Sequence, residues 1–307
     1  MIPIALLGLL LPATVHATDV GVRELPCPFG EGNVRVYAKL SSNRLGGWDS
    51  DLASYSVGGQ WRNYAISTCP SSLYSFPSEG GPSEQLADEE YRTTLHTLLL
   101  DAKAEFGEDP AIWERYEIAI RILRLQDEME PLRVAKLYLD AAWTARDLAV
   151  DVYSGLEGPE MAWGLLEAGA IELQKTELDD PTKKILHYNL ARIAHRGGFL
   201  ALRDQHINAF EALGNLSSIE QETLSRFRSM TTEVEPLYLA QAARFLEAHL
   251  ASSRDSSLSS WAHYVLADIS RRAGQTNSAR THFTAVTQSD HSEEKLKSLA
   301  QWFLERL

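Results

Sequence analysis

The chain of 307 residues is 44% apolar and 23% charged, which excludes the disordered, collagen-like and disulfide-dense classes and leaves material for one large domain or two smaller ones. Its net charge of −13, from 29 basic and 42 acidic side chains, opposes the basic footprint that nucleic acids and anionic membranes require. Residues 18–80 are nearly neutral, so the acidity lies in residues 81–307.

The first segment reads as an export signal. Ile4–Leu11 is an apolar run of eight residues, too short to span a bilayer, and Pro12 breaks it. Val15 and Ala17 fit the small-residue positions before a cleavage point, so residues 1–17 are expected to leave as a signal peptide, although no Lys or Arg precedes Arg23. A short buried N-terminal element is the alternative. No cysteine directly follows the run, so the mature chain is expected without a lipid anchor or membrane span, in an oxidising compartment, the periplasm.

Residues 18–81 carry the signals of a small β-rich module. Val34 to Leu40 alternates as a strand does, residues 63–68 predict another, and the pairs Gly46-Gly47 and Gly58-Gly59 supply turns. Such a module has little core and needs a staple. Its two cysteines open Cys27-Pro28-Phe29-Gly30 and Cys69-Pro70-Ser71-Ser72, each resembling half of a zinc knuckle. The second ligand positions fall on Gly30 and Ser72, which bind zinc poorly, and no histidine lies between His16 and His96. A Cys27–Cys69 disulfide is therefore expected, worth about 4 kcal/mol for a loop of roughly 43 residues; two free buried thiols are the alternative.

Cys27-Pro28, the run AKLSSNRLGGWDSDLASYSVGGQ (Ala38 to Gln60) and TCPSSLYSF (Thr68 to Phe76) together resemble an uncharacterised bacterial family, domain of unknown function family 2225. The resemblance implies a zinc-ribbon-like N-terminal module, degenerate here at Gly30 and Ser72, followed by tetratricopeptide-like helices. It implies architecture and no chemistry.

Within that run, Asp49 and Asp51 stand two residues apart beside a glycine pair, a spacing that offers oxygens to Ca²⁺ or Mg²⁺. Gln60 occupies the twelfth position counted from Asp49, where an EF-hand needs Glu, so carboxylates bonding their own turn are the preferred reading. Trp48, Tyr55, Trp61 and Tyr64 are read as module core before ligand platform.

After the breaker at residues 77–82 the apolar spacing turns helical. Helices are expected at about 84–106, 110–126, 130–152, 158–177, 182–196, 200–213, 217–229, 234–252, 258–273, 276–288 and 292–306, making residues 82–307 a helical domain. A shift of 76 residues superposes His187-Tyr188 on His263-Tyr264, Leu190-Ala191 on Leu266-Ala267, Arg196 on Arg272, Gly198 on Gly274 and His206 on His282. With a helix pair at 217–252 between them, these predict three consecutive helix-turn-helix units of tetratricopeptide type, a mainly α solenoid. The histidine pairs are read as packing before metal, since two nitrogens make a poor zinc site.

No GxSxG, HExxH or Walker sequence is present. The expectation is an exported protein–protein interaction scaffold without catalysis or cofactor, taking a protein or peptide in its repeat groove. An envelope enzyme using Asp49 and Asp51, or a metal- or redox-responsive module using Cys27 and Cys69, are the alternatives.

Overall fold

The computed structural model describes residues 18–125, 130–149, 155–253 and 256–307; the expected signal peptide, residues 1–17, lies outside the described residues. The chain is mainly helical, with a small strand-rich part at its N-terminal end.

Two Cys-Pro turns organise that part. β1 (Asp19–Pro26) and β2 (Asn33–Ser41) pair antiparallel, and the Cys27 amide donates to the Gly32 carbonyl at 2.9 Å in the turn between them. β3 (Gly47–Trp48) pairs with β4 (Ser54–Tyr55), and β5 (Ile66–Thr68) pairs with β6 (Ser75–Pro77) through the second turn, where the Cys69 amide donates to Tyr74. A disulfide joins Cys27 to Cys69. The turns face each other so closely that a β-carbon on Gly30 would meet Ser72 at 2.8 Å. The strand expected at 63–68 is shorter: residues 60–64 coil into a 3₁₀ turn, because the Asn63 and Tyr64 amides are spent on Gln60 and Trp61.

The helices fall close to the expected ranges: α1 (Glu89–Phe106), α2 (Ile112–Leu123), α3 (Pro131–Ala149), α4 (Gly158–Leu173), α5 (Asp180–Gly197), α6 (Leu200–Ala212), α7 (Ser218–Arg228), α8 (Glu235–Ser252), α9 (Ser257–Arg272), α10 (Thr276–Gln288) and α11 (Glu294–Leu304). Local chemistry sets their ends. Asp88, Asp179 and Ser217 accept amide hydrogen bonds at the starts of α1, α5 and α7. Gly198 and Gly274 turn left-handed after α5 and α9 (φ 75° and 72°), and the Phe199 and Gln275 amides close back on Ala194 and Ser270 in the same capping pattern.

One expectation fails between these units. Residues 217–252 do not form a helix-turn-helix: α7 passes through a π-helical segment, Ser229–Val234, directly into α8. No glycine breaks that stretch, and Pro236, which cannot donate to the carbonyl four residues back, is accommodated by the widened turn before it.

The hairpins α5–α6 and α9–α10 pack as sequential neighbours, with α4 on α5 and α11 on α10. The long-range contact is α3 on α8, where the Tyr138 ring lies 6.3 Å from Tyr238 and 5.7 Å from Phe245. The strand-rich part shares cores with the helices: Val34, Leu73, Tyr74 and Phe76 pack with Leu95 and Leu99 of α1 and Ile118 and Ile122 of α2. A further strand pair joins the strand-rich part to the segment before α4, since β7 (Leu156–Glu157) runs parallel to β3.

Candidate functional site

The largest concentration of buried charge lies where the loop from β3 to β4 enters the helices. Gly47, at φ 81°, places its backbone against Leu156 so closely that any side chain would strike the Leu156 carbonyl. Beyond it the Trp48 ring covers Gly158, and the turn closes by hydrogen bonds from the Asp49 amide to Ala53 and from the Leu52 amide to Asp49, both at 2.9 Å. The Ser50 amide leaves the turn to donate to the Arg196 carbonyl of α5 at 3.0 Å. Asp49, Ser50 and Asp51 are thereby held at 0% exposure.

Each carboxylate meets guanidinium groups from distant helices. Arg146 of α3 donates through Nη1 to Asp49 (2.8 Å) and Asp51 (2.9 Å), through Nη2 to Asp51 (2.5 Å), and through Nε and Nη2 to Glu235 of α8 (3.0 and 2.5 Å). Arg196 donates from Nε to Asp49 at 2.5 Å and lies over the Tyr55 ring, whose hydroxyl donates to Asp49 at 2.7 Å. The indole of Trp143 donates to Asp51 at 2.9 Å. From α9, Arg272 donates to the Ser50 hydroxyl and to Asp268, Arg271 donates to Asp268, and the Tyr264 hydroxyl donates to the Ser50 carbonyl. At the edge, Arg62 grips Asp147 with two bonds of 2.6 and 2.7 Å.

Five carboxylates (Asp49, Asp51, Asp147, Glu235, Asp268) thus face five guanidinium groups (Arg62, Arg146, Arg196, Arg271, Arg272). Burial alone pushes carboxyl groups up, yet Arg146 and Arg272 hold Asp51 well below its ordinary value, and Arg146, His195 and Arg272 bring Glu235 down to about 2. Burial keeps His195 below the usual imidazole value. Its partners dictate the tautomer: Nε2 donates to Glu235 at 2.7 Å, and Nδ1 accepts from Arg203 at 3.4 Å. Each carboxylate of the cluster is held by at least one guanidinium group from another part of the chain or of its own helix. Chemically the cluster is a lock between elements.

The open face of this region is a cleft of about 320 Å³ between the start of α6, the π-helical segment, α8 and α9. Leu200, Leu239, Leu266 and Ile269 line its walls, His195, Glu235 and Arg272 lie at its base, and Arg244, Glu247 and Gln275 stand at its rim.

The residues singled out from sequence are distributed as follows. Asp49 and Asp51 do not offer an open oxygen site for a cation: guanidinium groups take their oxygens, and only the Ala53 amide bond to Asp51 matches the turn reading. Tyr55 is core, whereas Tyr64 is 37% exposed. Leu190, Ala191, Leu266 and Ala267 are buried in the helix hairpins. The equivalent tyrosines diverge, Tyr264 holding the acidic loop while Tyr188 packs its ring on Phe210 and Phe227. Both histidine pairs meet, with Nδ1 of His187 3.1 Å from Nδ1 of His206 and Nδ1 of His263 2.9 Å from Nδ1 of His282. Among the described residues no group of three or more His, Cys, Asp or Glu is gathered for a metal ion. Sequence reasoning missed Arg146, Glu235 and Asp268; the signal was a charge placed on an apolar helix stripe, as in Ala145-Arg146 of α3. Comparison with family models, curated proteins and solved structures gives no match.

Proposed function

We propose that the chain is an exported, non-catalytic interaction protein that takes a segment of a partner protein into the cleft between α6, α8 and α9. The observation that carries this reading is the division of the polar groups. The members of the charged constellation that floor the cleft, His195, Glu235 and Arg272, are paired with one another or with their neighbours, while Leu200, Leu239, Leu266 and Ile269 give the cleft apolar walls under a polar rim, the form of a site for a peptide with an apolar anchor.

The recurrence of capped helix hairpins at α5–α6 and α9–α10 supports a tetratricopeptide-like ancestry for the helical part, with α7–α8 a modified unit. The opposed Cys-Pro turns support a degenerate zinc ribbon in the manner of domain of unknown function family 2225, its ion replaced by the disulfide. That disulfide suits an oxidising compartment such as the periplasm. No helix among the described residues is long and apolar enough to cross a membrane.

A displayed-peptide selection against the immobilised chain, repeated on Ala240→Trp, tests the reading. Ala240 is exposed on the cleft wall, so a bulky ring fills the cleft without touching the core. Selected peptides are expected to lose at least tenfold in affinity for the variant at an unchanged Tm. Equal affinity for both proteins, or no selected peptide, would overturn it.

A further inference from the structure

The two histidine pairs repeat one geometry. His187 (α5) faces His206 (α6), and His263 (α9) faces His282 (α10), with Nδ1–Nδ1 separations of 3.1 and 2.9 Å, ring centroids 5.3 and 5.2 Å apart, and interplanar angles of 46° and 39°. Each pair bridges the two helices of a hairpin, with His187, His263 and His282 half-buried and His206 buried. Apolar side chains would hold such a contact without desolvating four ring nitrogens. Both hairpins nevertheless carry the imidazole pair at equivalent positions.

Nδ1 atoms 3.1 and 2.9 Å apart have the bite of two neighbouring ligands on one cation, since metal–nitrogen bonds of about 2.0–2.1 Å at the right angle of a tetragonal site set them roughly 2.9 Å apart. The geometry points to two equivalent di-histidine sites, one per hairpin, for a borderline divalent transition-metal ion, copper(II) before zinc. The ion replaces the proton shared between the Nδ1 atoms, and the donating ring moves that proton to Nε2, so both imidazoles stay neutral. Copper(II) outranks zinc because nitrogen sites follow the ordinary divalent series. Water completes the coordination, and beside His263 a cavity of about 330 Å³ lined by Ser253, Ser259, Gln288 and Ser289 gives it room.

Copper(II) alone, titrated into the full chain with glycine as competitor to mask single-histidine sites, tests the proposal. Two ions per chain are expected, one in His187→Gln, one in His282→Gln and none in the double variant, with helical circular dichroism unchanged. Electron paramagnetic resonance of the wild-type complex gives a readout independent of any variant, and coupling to two ring nitrogens per copper is expected. No copper retained against glycine, unchanged stoichiometry in the folded double variant, or coupling to one nitrogen would overturn it.

Discussion

Arg146 shows what a single buried guanidinium does in this chain. It reaches Asp49, Asp51 and Glu235 at once from a side chain with 0% exposure, so removing it leaves three carboxylates facing each other out of water. Arg146→Ala is expected to cost about 3–5 kcal/mol in denaturant unfolding. The acid side of the stability profile follows from the same site. Glu235 sits near 2 in the folded chain and His206 near 4, each below its ordinary value, so their contributions are complete above those ordinary values and disappear as the pH falls through the folded ones. Asp140 has the opposite sign: burial, aided by Asp147, outweighs Arg62 and lifts it to about 6. Its contribution is complete below its ordinary value and lost as the pH rises through 6. Asp140→Asn is therefore expected to be more stable than the wild type at pH 8 and equal to it at pH 4, read from thermal midpoints. The sequence marked Asp49 and Asp51 as unusual because an acidic pair beside glycines stands out locally. It gave no hint of their partners, because attraction between residues 95 to 147 positions apart leaves no period in the chain.

Among the elements, the helices were the most legible. Their apolar stripes, Asp and Ser caps and terminal glycines are local signals, and α10 runs over the residues they indicated. The middle unit was misread because the spacing of apolar residues is the same on both sides of a π-helical segment; only Pro236 marked it, and proline also begins helices. The disulfide was legible because both Cys-Pro turns are local features. Its reduction in the folded protein is expected to lower stability by about 4 kcal/mol, seen as a fall in the denaturation midpoint that alkylation of Cys27 and Cys69 makes permanent. A null shift would mean that the shared core with α1 and α2 already fixes the strand-rich part.

At the scale of the molecule, the boundary near residue 82 is a change of composition rather than a break in packing. Residues on its N-terminal side pair with β7, share a core with α1 and α2, and thread the acidic loop between α3, α5, α8 and α9. The duplicated hairpins supply equivalent arginines, Arg196 and Arg272, and both reach into the Asp49–Asp51 turn. The recurrence was visible at a shift of 76 residues, whereas its purpose was not, since the common target lies outside the repeat. The account accordingly holds that the turn and the helices unfold together, with the loop as the central tie. Native-state hydrogen exchange is the most direct test, because the Ser50 amide, bonded to the Arg196 carbonyl, reports on the junction itself. The account predicts that Ser50 exchanges with the same opening free energy as the inner amides of α5 and α9. Rapid exchange at Ser50 while those helices stay protected would contradict it.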